Sequence, residues 1–148
     1  MSSQDEDNPS GGDHPEFKFS SQTSLEDLRA KVHKFAEERD WDQYHTPRNL
    51  LIAMVGEVGE LSEIFQWRGE VKSGIPDWSD EDKVHLGQEL SDVLIYLIRL
   101  AQKCHIDLPT AALDKIALNA HKYPAAVVKG SSKKYLEYDS YKDIEDKR

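Results

Sequence analysis

The sequence predicts an all-α fold, a bundle of four helices. Three observations carry that expectation. Apolar residues recur at helical spacing through the middle of the chain, no segment alternates with the period of a strand, and Thr, Ser, Asp and Pro stand where helices would begin. At 148 residues the chain suffices for one domain with its own core and is short for two. The expected division is a disordered acidic tail over 1–22, a helical domain over 23–128 and a polar C-terminal tail over 129–148.

The elements follow in order. The first 22 residues hold Ser, Asp, Glu, Gly and Pro with little that could be buried, though Phe17 and Phe19 are expected to dock as an extended segment. Thr23 and Glu26 have capping-box spacing, and Leu25, Leu28, Val32 and Phe35 form the apolar stripe of a first helix ending near Asp40. Trp41-Asp42-Gln43-Tyr44-His45 is a short aromatic connector. Thr46 as N-cap and Pro47 at the first helical position open a second helix, which should run through Trp67. Gly74 and Pro76 punctuate the next loop, and Ser79 with Asp82 opens a third helix reaching about Cys104. Asp107 and Pro109 start a fourth, through Lys122, before Tyr123-Pro124 stops it. From Gly130 onward the chain has no core period.

The second helix organises the rest. On a helical projection Leu50, Ala53, Met54, Leu61, Ile64 and Phe65 fall on one face roughly 120° wide, with Glu57 in its middle and Glu60 at its edge. A carboxylate placed there needs a positive partner, or it stays protonated. Gly56 and Gly59 flank Glu57 and suggest close approach of backbone or ligand, or tight helix packing. On the third helix Glu89, Asp92, Tyr96 and Arg99 share a narrow stripe, while Leu86, Leu90, Val93, Leu94, Leu97, Leu100 and Ala101 cover the other side. E-x-x-E on one helix and E-x-x-D on the next each put two carboxylates on one side. If the helices pack, four carboxylates converge, and all-oxygen ligation favours a hard ion such as Mg²⁺ or Mn²⁺.

Composition excludes several functions. A net charge of −9 argues against a general nucleic-acid binder or an anionic membrane surface. The single cysteine, Cys104, excludes an internal disulfide and reads as buried filler. No apolar run reaches membrane-spanning length and the acidic N-terminus does not resemble a targeting signal, so the cytosol is expected. Ser62 and Ser91 lack a nearby activating His, no Gly-rich phosphate loop exists, and neither acidic pair carries the Glu-x-x-His of di-iron bundles. Metal-assisted hydrolysis remains.

The residues also carry a resemblance. GEVGELSEIFQW followed by QELSDVLIYL resembles the all-α nucleoside triphosphate pyrophosphohydrolases of the MazG-like superfamily. The longer run ERDWDQYHTPRNLLIAMVGEVGELSEIFQW, with ELSDVLIYL, DLP and KYP, is similar to the eukaryotic dCTP pyrophosphatase branch. That resemblance, over roughly 25–135, implies hydrolysis of dCTP to dCMP and pyrophosphate in nucleotide-pool sanitation, with Mg²⁺ held by Glu57, Glu60, Glu89 and Asp92. It implies that the connector Trp41, Asp42, Gln43, Tyr44 and His45, together with Trp67, surrounds the base, and that Tyr96 contacts the nucleotide. It implies phosphate contacts from Lys115, Asn119 and Lys122, and a homo-oligomer, dimer or tetramer, with sites near subunit contacts. In the branch pattern a His stands where this chain has Val32; His33 lies one position later, about 100° round the helix, and falls outside the implied site. The rival readings are a relative preferring another nucleotide such as dUTP, and a non-catalytic helical interaction module.

Overall fold

The computed structural model describes residues 16–131, and these form helices and connecting loops with no strand. The expectations for 1–15 and 132–148 lie outside the described residues. Five helices follow one another: α1 (Leu25–Glu37), α2 (Pro47–Phe65), α3 (Asp80–Lys103), α4 (Leu108–Lys122) and the single turn α5 (Ala125–Val128), which the sequence reading did not anticipate.

Capping explains where each begins. Ser24, one residue after the expected Thr23, caps α1; its hydroxyl accepts from Asp27 N–H while the Asp27 carboxylate accepts from Ser24 N–H. Thr46 caps α2 with Pro47 behind it, Ser79 caps α3 and Asp107 caps α4, all as expected. The ends of α1 and α3 share one device. Asp40 (φ 52°) and His105 (φ 56°) take the left-handed conformation, and the next residue's N–H reaches back five residues, Trp41 to Ala36 at 3.0 Å and Ile106 to Ala101 at 2.9 Å. The first of these turns opens the connector, whose Trp41 packs back on Phe35 of α1. α2 stops at Phe65, so Trp67 lies beyond its end rather than in its last turn.

α2 and α3 form the main packed pair, and α1 lies against α3. The pair is antiparallel. Asp42, just before α2, meets Lys103 at the end of α3, whereas Arg68, just after α2, meets Asp82 at the start of α3. The Arg68 guanidinium also lies 4.0 Å over the Trp78 ring, and Trp78 packs on Phe65, which pins the long α2–α3 loop. The expected apolar face of α2 turns inward, with Leu50 buried and Ala53, Met54, Leu61 and Ile64 half-buried. α3 does the unusual thing: its polar stripe turns inward, with Arg99 buried and Glu89, Asp92 and Tyr96 half-buried.

Little of the apolar surface is covered by one chain. The buried apolar residues among those described are Ala36, Leu50, Trp78 and Ile98, whereas Leu51, Ile52, Val55 and Val58 of α2 and Leu90, Leu94 and Leu97 of α3 are exposed. α4 makes sparse contact with the other helices, and its residues are almost all exposed. Three local expectations change here. Cys104 is exposed, because it sits at the C-cap of α3 rather than on its inner side. Phe17 and Phe19 do not dock; both are exposed and pack edge-to-face on each other. Gly56 and Gly59 face open space, so neither close approach nor tight packing within one chain explains them.

Leu50→Ala should lower stability by about 2–5 kcal/mol, because it opens a cavity at a fully buried position. His105→Gly should raise it by up to about 1 kcal/mol by relieving the left-handed backbone. Urea unfolding of both variants checks the pair of signs.

Candidate metal and nucleotide site

The antiparallel contact brings the two acidic motifs together. Carboxylate oxygens of Glu57, Glu60 and Glu89 lie within 4.8 Å of one another, and Asp92 is near enough to act on Glu57. The Glu57 carboxyl is pushed above its ordinary range, first by burial and then by the negative charges of Glu60, Asp92 and Glu89. Tyr96, one turn beyond Asp92, is also pushed up, by burial and by Glu57 and Asp92, so its phenol keeps its proton and remains a donor.

No Lys or Arg is paired with these four acids among the described residues. Glu89 Oε1 meets His85 Nε2 at 3.3 Å, and Glu89 Oε2 is buried with no hydrogen-bond partner. An orphaned buried carboxylate oxygen is costly unless a cation takes it. Beside the acids opens a cleft of about 490 Å³ lined by Glu60, Glu63, Ile64, Arg68, Asp82, His85 and Glu89. This donor set fits a hard divalent cation. The rejected nucleophiles stay rejected, since Ser62 and Ser91 donate to carbonyls of their own helix, Val58 at 2.7 Å and Gly87 at 2.6 Å.

A second polar centre forms at the other end of α3, about 10 Å along the axis from Asp92. The Arg99 side chain is only 1% exposed. It donates from Nε to His45 Nδ1 (3.1 Å), from Nη1 to Gln102 Oε1 (2.9 Å) and His33 Nδ1 (3.1 Å), and from Nη2 to Asp42 Oδ1 (2.6 Å). Lys103 donates to the same Asp42 oxygen at 2.6 Å. Lys103 above all, and then Arg99, holds the Asp42 carboxyl below its usual range. Burial and the Arg99 charge push His45 down, against the pull of Asp42. The resemblance implied Asp42 and His45 at the base; Arg99 was read only as part of the α3 stripe, and His33, set outside the implied site, joins them in this polar centre. The available signal was a lone cation completing the stripe from Glu89.

The other implied residues are spread along the molecule. Trp41 packs edge-on against Phe35 and tilted against His45, while Tyr44 is exposed and Gln43 turns back to Asp40. Trp67 is 87% exposed and lies past the opposite end of α2, about 28 Å from the connector side by the length of the helix. One chain therefore does not bring Trp67 and Trp41 together. No ion pair or hydrogen bond among the described residues joins Lys115 or Asn119 to the carboxylates, and the contacts of α4 with the other helices are sparse.

Facing E-x-x-E and E-x-x-D pairs on an antiparallel helical pair make this an all-α protein with an acidic cluster compatible with a bound cation. The chain belongs to the MazG-like family, whose profile matches residues 52–137. It is 52% identical over 121 residues to dCTP pyrophosphatase 1 of Homo sapiens, spanning 82% of this chain and 71% of that protein, and 50% identical over the same shares to its Mus musculus counterpart. Among solved structures it is similar to a pyrophosphatase from Archaeoglobus fulgidus, with 34% identity and a TM-score of 0.61 over 72% of this chain and 99% of that one. No helix among the described residues is long and apolar enough to cross a membrane.

Glu57 yields a stability prediction whose sign can be worked out. Its folded value lies above the ordinary 4.5, so the folded state holds the proton more tightly and ionisation destabilises it. Without metal, Glu57→Gln should therefore gain in melting temperature over the wild type as pH rises from 4.5 through the raised value, then plateau. Mg²⁺ should raise the wild-type melting temperature by mass action and the variant's by less. Equal shifts in both proteins would place the ion elsewhere.

Proposed function

We propose that this chain is a Mg²⁺-dependent dCTP pyrophosphohydrolase, converting dCTP to dCMP and pyrophosphate, which acts in the cytosol as a homo-oligomer. The observation that carries the reading is the convergence of Glu57, Glu60 and Glu89 with Asp92 around an unpaired carboxylate oxygen. The identity to proteins named dCTP pyrophosphatase 1 supports the substrate. The helical body over 23–128 would carry the activity, with the tails outside it.

Hydrolysis adds water across the anhydride between the α and β phosphorus atoms. Glu57, Glu60, Glu89 and Asp92 would hold Mg²⁺, which screens the phosphate charge and polarises the anhydride. Four clustered negative charges would repel a bare triphosphate, so a divalent cation held by these acids would offset part of that repulsion. A carboxylate oxygen left outside the ligand set would take the proton the water loses. The Tyr96 phenol, kept protonated, would offer a hydrogen-bond donor to the substrate beside Glu57 and Asp92. Trp41, Tyr44 and His45 would meet the base.

The exposed apolar strips of α2 and α3 and the isolation of α4 support assembly. In that reading a second copy brings Trp67 and the Lys115, Asn119 and Lys122 stripe to this chain's carboxylates and connector.

A panel of dCTP, 5-methyl-dCTP, dUTP and dTTP, with and without Mg²⁺, scored for monophosphate and pyrophosphate, tests the function. Release from dCTP only with the metal is expected; no nucleotide turned over would leave a helical interaction module. Glu60→Gln and Asp92→Asn should keep the helical circular dichroism yet lose nearly all activity, since an amide has the shape but lacks the charge. Trp67→Ala should weaken dCTP binding by ~1–3 kcal/mol, the range for losing a stacking ring, chiefly in KM. With the ring 87% exposed, its melting temperature should barely move unless the ring seals a subunit contact, which sedimentation would reveal.

A further inference from the structure

Arg99 is buried, charged and unused by hydrolysis at the carboxylates. A guanidinium has five N–H groups and no acceptor, so every nitrogen facing it must offer a lone pair. His45 Nδ1 and His33 Nδ1 therefore both accept from Arg99, at 3.1 Å each. Each neutral ring then carries its proton on Nε2. The groups around the guanidinium are His33 from α1, Asp42 and His45 from the connector, and Gln102 and Lys103 from α3. One acid already faces two fixed cations there, so a proton on the His45 imidazole would add a third positive charge.

We propose that Arg99 is the positioning residue for base selection: it locks His45 as the neutral Nε2–H tautomer and ties the Trp41–His45 connector to α3, presenting a hydrogen-bond donor to the base. The proposal deepens the hydrolase reading and rests on the connector meeting the base. Its chemistry is specific. Cytosine carries an acceptor at N3, whereas N3 of uracil and thymine carries a proton. Set against N3, a ring that can only donate at Nε2 favours the first and opposes the other two. Had the proton stood on Nδ1, the same ring would offer an acceptor and the preference would invert. A site built around one hydrogen bond rejects a mismatched partner strongly, because the buried groups are left unpaired. Arg99 stands seven residues beyond Asp92 on the same stripe, about 10 Å along the axis, a length that a sugar and phosphate chain can span.

The test uses the full chain. Long-range ¹H–¹⁵N spectra of the wild type should show His45 and His33 with bare Nδ1 and protonated Nε2, and His45 should stay so as pH falls through the ordinary histidine range. A charged or Nδ1-protonated His45 at neutral pH overturns the proposal without any variant. Arg99→Lys keeps the charge but cannot supply the fork of donors. It should raise KM for dCTP about tenfold and shrink the preference for dCTP over dUTP by a similar factor, with kcat within about threefold. Binding of Mg²⁺ alone, by calorimetry, should be unchanged. An Arg99→Lys protein with intact preference, or one that also loses Mg²⁺ binding, would show that Arg99 only holds the fold. A wild type inert toward every nucleotide sinks the hydrolase reading, while the spectrum still decides the tautomer.

Discussion

The structure depends on the way α3 is turned. Its stripe of Glu89, Asp92, Tyr96 and Arg99 faces α1 and α2, and Leu90, Leu94 and Leu97 are left outside. A helix serving only to bury apolar surface would be rotated the other way. The orientation places four carboxylates at one contact, where desolvation and mutual repulsion oppose packing. What offsets this is the inward apolar face of α2, with Leu50 at its most buried point, and the two clamps at the ends of the helical pair. A cation between the motifs removes the repulsion directly, so metal binding and helix packing are one thermodynamic event.

Charge is divided along α3 rather than neutralised across it. The acids lie toward its N-terminal half and Arg99 with Lys103 toward its end, some two turns on. Arg99 does not serve Glu57, because its donors are taken by Asp42, His45, His33 and Gln102. Arg68, which lines the cleft beside the acids, is likewise spent on Asp82 and the Trp78 ring. The cations that could have quenched the acidic cluster are held away from it by their own partners. That separation leaves the carboxylates electrostatically open to an incoming ion.

Much of this was legible from residue pattern. Thr46-Pro47, Ser79 with Asp82 and Asp107 mark helix starts because capping is local chemistry, readable without tertiary context. The E-x-x-E and E-x-x-D pairs were legible because spacing of three fixes a shared helix face. The capping box of α1 fell one residue off, since Thr23/Glu26 and Ser24/Asp27 satisfy the same spacing and only geometry chooses. Cys104 was misjudged because its neighbours are apolar while its backbone is already leaving the helix. Arg99 was invisible as a partner. Its contacts reach 54 to 66 residues back along the chain, to His45, Asp42 and His33, and no local rule spans that distance.

The remaining argument concerns what one chain leaves undone. Apolar side chains on both members of the main helical pair stay in solvent, a surface of the kind that marks a protein–protein contact. Trp67 and Trp41 lie beyond opposite ends of α2, too far apart to hold one base between them. α4 carries its Lys and Asn stripe on an exposed helix whose contacts with the other helices are sparse. These are three separate deficits, in core, base pocket and phosphate contacts, and all three are of the kind that the proposed homo-oligomer would repair. On that logic the inward turn of α3 makes sense. The stripe facing inward gathers the polar chemistry within the chain, and the apolar side facing outward is the surface that the proposed assembly would cover.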